Sequence, residues 1–126
     1  MTLSHETGLT GEIIGLAMRV HTKLGPGLIE SMYERCLCIE FQKHNIPYQR
    51  QVDLPIVYDG EDLGAGYRAD IVVRNEVLLE LKSVEQIQFV HKAQLLTYLK
   101  LSTCRVGLLL NFNTVALRDG ILRRVR

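Results

Sequence analysis

The beginning of the chain carries apolar residues at the spacing of helices. The first set predicts a helix from about Thr10 to Leu24, with Thr10 as its N-cap, and consists of Leu9, Ile13, Leu16, Ala17, Val20 and Leu24. Gly25-Pro26-Gly27 ends this helix, because proline cannot continue it and glycine accepts turn conformations. A second helix is predicted to start near Leu28 and to end in the polar turn from His44 to Pro47.

The middle of the chain changes to the alternating pattern of strands. The run YQRQVDLPIVY starts at Tyr48, and Asp59-Gly60 separates it from a second run between about Leu63 and Val73, which predicts a hairpin. Another polar turn then precedes the stretch VLLELKS, from Val77 to Ser83, which we interpret as a third strand.

The last part of the chain alternates a helix with apolar strands. A third helix is predicted between about Glu85 and Leu101, apolar over most of its girth and therefore packed on two sides. The run CRVGLLLNF follows as a strand, and a closing hairpin is predicted to turn at Asp119-Gly120. The order α-α-β-β-β-α-β-β predicts an α/β or α+β fold, in which helices flank a mixed sheet.

Composition excludes several classes of protein. With 126 residues, 47% hydrophobic and 23% charged, the chain has the size and balance of one soluble domain, residues 1–126. No apolar run is long enough for a membrane span, and MTLSHETGLT lacks the blocks of a signal peptide, so we expect a cytoplasmic protein that does not contact membranes. The three cysteines have no paired spacing and predict free thiols, not a zinc or disulfide framework.

The predicted third strand holds two charges that a buried strand does not ordinarily carry. Side chains alternate along a strand, so Glu80 and Lys82 share one face. If the preceding strand is its antiparallel neighbour, Asp70 lies opposite Glu80 and completes the pattern D-x9-E-x-K. The alternative is a buried Glu80–Lys82 ion pair that serves the fold alone.

Two carboxylates at one point repel each other unless a cation lies between them. Ligands made only of oxygen select Mg²⁺ or Mn²⁺ over zinc. Such an ion lowers the pKa of a bound water and polarises a phosphate, and Lys82 would orient that water or offset charge in the transition state. The net charge of +1 implies that contact with phosphates depends on a local cluster.

These residues resemble the PD-(D/E)XK nuclease superfamily. Asp70 and the Glu80-Leu81-Lys82 triplet match its motif, although Ala69 stands where the motif has proline. GLIESMY, starting at Gly27, is similar to the GxxExxY signature of a small bacterial family within that superfamily, and the resemblance extends from about Leu9 to Arg124.

The resemblance implies a restriction-endonuclease-like core and metal-dependent hydrolysis of phosphodiester bonds. It implies that Mg²⁺ or Mn²⁺ is held by Asp70, Glu80, the Leu81 carbonyl and Glu30. Gln94 and Tyr98 resemble the QxxxY motif of exonuclease-type members, where these residues support the active site or touch nucleic acid. In the alternative interpretation, the two form an internal hydrogen bond of a buried helix.

Three more residues have both a functional and a structural interpretation. Glu30 acts on the metal or only caps the second helix. Tyr33 lies one turn further on, where it hydrogen-bonds the acid or the substrate, or else packs in the core. Arg68 binds two oxygens of a phosphate through its planar guanidinium group, or is a structural partner of an acid such as Asp70.

The expected partner is nucleic acid, with DNA favoured over RNA. A small domain offers limited surface for a long substrate, and a homodimer would supply more. The alternative function is a non-catalytic module that binds nucleic acid or protein through an inherited, idle site.

Overall fold

The computed structural model describes residues 8–126, so most of the stretch inspected for a signal peptide lies outside the described residues. The helices and strands are α1 (Gly8–Leu24), α2 (Glu30–Lys43), β1 (Tyr48–Tyr58), β2 (Glu61–Val73), β3 (Val77–Lys82), α3 (Phe89–Leu101), β4 (Val106–Asn111) and β5 (Ile121–Val125). This order confirms the predicted α-α-β-β-β-α-β-β arrangement. Thr10 lies inside α1, so the prediction that it caps this helix is wrong.

The strands form one mixed sheet in the order β1-β2-β3-β4-β5. β3 and β4 are parallel, and every other neighbouring pair is antiparallel. Parallel neighbours need a crossover connection, and α3 supplies it between β3 and β4. The mixed sheet flanked by helices confirms the predicted fold class and is consistent with a restriction-endonuclease-like core.

The β1–β2 hairpin turns where the sequence predicted. Asp59 and Gly60 both have positive φ, 49° and 79°, as the tight turns of hairpins require. From Pro55 to Arg68 the side chains are exposed or half-buried, and only the part of the hairpin nearest β3 enters the core. Asp70 therefore lies at the border between the buried sheet and its exposed extension.

The sheet separates two apolar clusters. On one face, α1 and α2 pack on strand residues that include Ile71, Leu79 and Leu81. On the other face, α3 packs on residues that include Val72 and Leu78. Because side chains alternate along β3, Glu80 and Lys82 belong to the face of α3.

Helix α3 is buried on one side only, so the prediction of a helix packed on two sides is wrong. Leu95, Tyr98 and Leu99 are its buried residues. Phe89 and Val90 are 83% and 60% exposed. Residues 85–88 also lie outside the helix, which begins four residues later than predicted. The apolar pattern overestimated burial because the sheet covers a single face of this helix.

The connection between β4 and β5 differs from the predicted tight turn. A 3-10 helix, Leu117–Gly120, occupies the site of the predicted turn, and β5 then pairs with β4. Gly120 packs so closely on the Asn111 carbonyl that a Cβ atom would not fit there. Among the described residues, no helix combines the length and apolar character that crossing a membrane requires.

Candidate active site

Asp70 and Glu80 face each other where β2 and β3 separate. The two strands pair through Ile71 and Leu79, and the next positions along them are Asp70 and Glu80. The Asp70 N–H donates to Glu80 Oε2 at 3.0 Å, and the Leu81 N–H donates to Asp70 Oδ2 at 2.8 Å. Each carboxylate therefore bonds the backbone of the opposite strand, in the cross-strand position that the sequence predicted.

Both carboxyl groups hold their protons more tightly than usual. Burial raises the pKa of Glu80 to about 8, with a further contribution from the charge of Asp70. Burial is also the main cause of the raised pKa of Asp70, and its hydrogen bond from Leu81 opposes the shift. Near neutral pH the pair on its own therefore retains a proton, and a cation between the two groups would favour full ionisation.

The donor atoms suit a hard divalent cation. Within residues 8–126, Glu40 Oε1 is the one buried side-chain oxygen or nitrogen without a hydrogen-bond partner. The second oxygens of Asp70 and Glu80 accept no hydrogen bond from the described residues, so they contact solvent and remain available as ligands. Carboxylate oxygens are the ligands that Mg²⁺ prefers. No three His, Cys, Asp or Glu side chains of residues 8–126 gather into a complete metal cage.

Lys82 lies two residues after Glu80 on the same strand. Its Nζ donates to Gln94 Oε1 on α3 at 3.4 Å. Its charge lowers the pKa of both Asp70 and Glu80, against the stronger effect of burial. None of the ion pairs among the described residues joins Lys82 to Glu80, so the structure does not support the alternative of a buried Glu80–Lys82 pair.

Gln94 and Tyr98 both lie near the candidate site, Gln94 beside Lys82 and Tyr98 beside the acids. Tyr98 is 7% exposed, and burial together with the charges of Glu80 and Asp70 raises the pKa of its hydroxyl. Its ring lies 5.4 Å from the ring of Tyr67 on β2. No hydrogen bond joins Gln94 to Tyr98 within the described part of the chain, which removes the alternative of an internal pair.

Glu30 is the first residue of α2 and approaches the end of β3. Its Oε2 accepts a hydrogen bond from the Ser83 N–H at 3.2 Å, and the Ser83 hydroxyl donates to the Leu28 carbonyl at 2.7 Å. The charge of Glu30 contributes to the raised pKa of both Asp70 and Glu80. An exposed groove at this point is lined by Gly27, Leu28, Ile29, Glu30, Ser31, Ser83 and Asn113.

Tyr33 is a core residue, which corrects its interpretation as a substrate-binding side chain. It is fully buried and stacks on Phe112, with 4.4 Å between ring centroids. Its hydroxyl donates to the Gly25 carbonyl and accepts from the Leu28 N–H. Tyr33 therefore supports the site indirectly, by fixing the loop that precedes Glu30.

Arg68 forms its ion pair with Asp53, not with Asp70 or Glu80. Its Nε lies 3.1 Å from Asp53 Oδ1 on β1, and both side chains are 60% exposed. The interpretation of Arg68 as a structural partner of Asp70 or Glu80 is therefore wrong. An exposed ion pair of this kind leaves the guanidinium accessible to a phosphate.

Two residues that lie near the acids in the structure, Asn111 and Glu34, were not predicted from the sequence. Asn111 on β4 is 3% exposed, pairs in register with Lys82, and bonds both the N–H and the carbonyl of Val84, at 3.1 and 2.9 Å. Glu34 on α2 is 5% exposed and acts electrostatically on Asp70. A polar residue ending an apolar strand was the available signal for Asn111, whereas the position of Glu34 depends on contacts between distant segments.

Comparison with known proteins agrees with this geometry. The family model of the PD-(D/E)XK nuclease superfamily matches residues 7–125. No curated protein and no solved structure matches the chain. The matched region contains the Asp70–Glu80 pair, the lysine two residues later and the mixed sheet that brings them together. With its acids on adjacent strands and its sequence matched almost throughout, the chain belongs to the PD-(D/E)XK nuclease superfamily.

Proposed function

We propose that this protein hydrolyses phosphodiester bonds of nucleic acid with the help of a divalent metal ion. The observation that carries the proposal is the meeting of Asp70 and Glu80, with Lys82 beside them, in a chain of the nuclease superfamily. Glu80 is buried, Asp70 is half-buried, and the pKa of each is raised, as is common for carboxylates at functional sites.

The proposed ligands are Asp70, Glu80, the Leu81 carbonyl and Glu30, and the proposed ion is Mg²⁺ or Mn²⁺. When bound, such an ion supplies a Lewis acid for the phosphate and a water of lowered pKa. Glu30 accepts a hydrogen bond from Ser83 at the end of β3, and because no three acids of the described residues gather at one point, it would reach the ion through a water or by a change of rotamer. A backbone carbonyl is a usual oxygen ligand for either ion.

Lys82 is the proposed catalytic cation. Its ammonium group would orient the attacking water or stabilise charge on the phosphate in the transition state. Gln94 fixes the ammonium from α3. Tyr98 lies on the same helix near both acids, which supports a role beside the substrate.

We further propose that the protein belongs to the GxxExxY group, because Gly27, Glu30 and Tyr33 stand at that spacing and Tyr33 fixes the loop before Glu30. Tyr33 bonds the loop that follows Gly25, and this loop delivers Glu30 to the end of β3. DNA is the proposed substrate class. A second copy of the chain would enlarge the surface available to a long substrate.

The direct test is cleavage of labelled single-stranded DNA, double-stranded DNA and RNA, with Mg²⁺ or Mn²⁺ and with EDTA. Asp70→Asn keeps an oxygen that can accept the Leu81 N–H but removes the charge, and it should abolish cleavage. The matched control is Asp53→Asn, which removes an exposed acid from the adjacent strand. Cleavage that requires metal and Asp70, but not Asp53, supports the proposal.

Absence of cleavage on all substrates, together with no detectable metal binding, would overturn it. In that case the alternative function, a non-catalytic module that binds nucleic acid or protein, would explain the site better. Retained binding of an oligonucleotide by Asp70→Asn and Lys82→Ala would then identify nucleic acid as the partner of that module.

A further inference from the structure

A second acid on α2, Glu34, is more deeply buried than Glu30. Glu34 follows Glu30 by four residues, which puts both on one side of the helix. Glu34 is 5% exposed, whereas Glu30 is an exposed residue. A buried carboxylate requires compensation, and the donors that provide it come from β1.

Arg50 and Gln51 bind the Glu34 carboxylate together. Arg50 Nε donates to Glu34 Oε2 at 2.8 Å, and Gln51 Nε2 lies 3.0 and 3.2 Å from its two oxygens. The carboxylate therefore has a fixed position and keeps its hydrogen bonds while buried. Its charge is held in place by the β1 strand as well as by its own helix.

Gln51 adopts an unusual backbone conformation to make this contact. Its φ is +51°, a left-handed value that residues other than glycine rarely adopt. The other non-glycine residues with positive φ in the described chain lie in turns, not in strands, and are Asn45, Asp59, Arg74 and Asn75. Strain of this kind persists where surrounding contacts impose it, and it concentrates at functional sites.

The strained residue lies directly opposite Asp70. Arg50 pairs with Ile71 and Val52 pairs with Ala69, so Asp70 is the residue across from Gln51, yet these two have no regular pairing. This irregularity turns the Gln51 side chain to Glu34 at the level of the candidate active site.

The Glu34 carboxylate lies at the level of Asp70 in the sheet, because its donors Arg50 and Gln51 come from the part of β1 that lies across from Asp70. The Arg50 side chain is 47% exposed, whereas that of Glu34 is 7% exposed. Solvent therefore screens the guanidinium more than the carboxylate, and the two charges do not cancel fully.

We infer that Glu34 is a positioning residue of the metal site, whose carboxylate, fixed by Arg50 and Gln51, strengthens binding of a divalent cation by Asp70 and Glu80. This inference rests on the proposed function. Glu34 does not touch the ion; it adds a fixed negative charge behind one of its ligands. Residues that support metal ligands from outside commonly change metal affinity by about ten- to a hundredfold.

The test compares Glu34→Gln with Glu40→Gln. Glu40 is a matched control because it lies on the same helix, its side chain is 7% exposed like that of Glu34, and its carboxylate lies 3.4 Å from the Nε of a half-exposed arginine, Arg19. Unlike Glu34, it is not among the charges that act on Asp70 or Glu80. Metal affinity is measured by titration calorimetry with Mn²⁺, and folding by urea unfolding in EDTA.

We expect Glu34→Gln to weaken Mn²⁺ binding about tenfold and Glu40→Gln to leave it unchanged, whatever stability each variant loses in EDTA. Glu34→Asp should recover part of the affinity because it restores the charge. Equal Mn²⁺ affinity in Glu34→Gln, Glu40→Gln and the unmodified protein would overturn the inference and leave the proposed function intact. An unmodified protein that binds no Mn²⁺ would overturn both.

A second variant separates charge from folding. Gln51→Gly removes the amide that donates to Glu34 and relieves the left-handed φ. Relief of the φ offsets part of the stability lost with the hydrogen bonds, and we expect weaker Mn²⁺ binding in a variant that still folds. Unchanged Mn²⁺ binding in Gln51→Gly would show that Gln51 is not needed to fix the Glu34 carboxylate.

Discussion

Asp70 and Glu80 each accept a hydrogen bond from the backbone of the strand that carries the other, at 2.8 and 3.0 Å. The pair thus closes the end of the β2–β3 ladder while its remaining oxygens contact solvent. Substitutions can separate the proposed catalytic role of these two side chains from their structural role.

Replacing Lys82 should affect chemistry far more than folding. Lys82 makes one long hydrogen bond, to Gln94, and no ion pair with Glu80, so Lys82→Ala should lower the free energy of unfolding by no more than about 1 kcal/mol. Cleavage should fall about a hundredfold or more, since one group that stabilises the transition state is removed. Urea unfolding and single-turnover cleavage measure the two effects. Lys100→Ala, an exposed substitution on α3, is the control, and a stability loss of several kcal/mol would contradict the expectation.

The metal-free protein should lose stability as the pH rises. The pKa of Glu80 is about 8 in the folded protein and 4.5 in its ordinary state, so between these values the folded chain binds more protons than the unfolded chain. The stabilisation is complete below the lower value and is lost as the pH passes the upper one. The loss should amount to at most a few kcal/mol, because one unit of pKa corresponds to about 1.4 kcal/mol.

Urea unfolding in EDTA across this pH range measures the slope. Glu80→Gln should remove most of it, and added Mg²⁺ should flatten it in the unmodified protein, because the cation favours the ionised carboxylates. A slope that persists in Glu80→Gln would assign the pH dependence to other groups.

Removing the Tyr33 hydroxyl should destabilise the loop before α2. Tyr33→Phe keeps the stacking on Phe112 but leaves the Gly25 carbonyl and the Leu28 N–H without this partner. The free energy of unfolding should fall by about 1–3 kcal/mol. The control is Tyr58→Phe, at a side chain that is 67% exposed. Equal stability of the two variants would show that the hydroxyl does not hold the loop.

Asn111 should be required to hold the end of β3. Its side chain bonds the N–H and carbonyl of Val84, which follows Lys82 and Ser83. Asn111→Ala should lower the free energy of unfolding by about 2–3 kcal/mol and should also slow cleavage in the folded fraction. Asn113→Ala is the control, because the side chain of Asn113 forms no hydrogen bond with the described residues. Full cleavage by folded Asn111→Ala would exclude this positioning role.

Local patterns were sufficient to predict much of the fold. Asp59-Gly60 located the hairpin, because few residue pairs accept positive φ in succession. Alternation along VLLELKS put Glu80 and Lys82 on one face, and the short turn before it made Asp70 the cross-strand neighbour of Glu80. These relationships depend on residues close in sequence.

Contacts between distant segments were beyond the reach of such patterns. The pairing of Glu34 with Arg50 depends on how α2 lies against β1, and the left-handed φ of Gln51 has no signature in its residue type. The exposure of Phe89 was missed for a related reason, since an apolar residue indicates burial only where another element covers it.

The closed end of the β2–β3 ladder bears on how relatives of this protein can change over time. Whether or not a relative is catalytic, its two backbone N–H groups still need acceptors, so folding alone would preserve a side-chain oxygen, from an acid or an amide, at the positions of Asp70 and Glu80. Lys82 has no comparable backbone contact, and drift would remove it first. If the proposed function holds, the residue two positions after the glutamate is therefore a better guide to catalysis than the presence of an oxygen acceptor at the positions of Asp70 and Glu80.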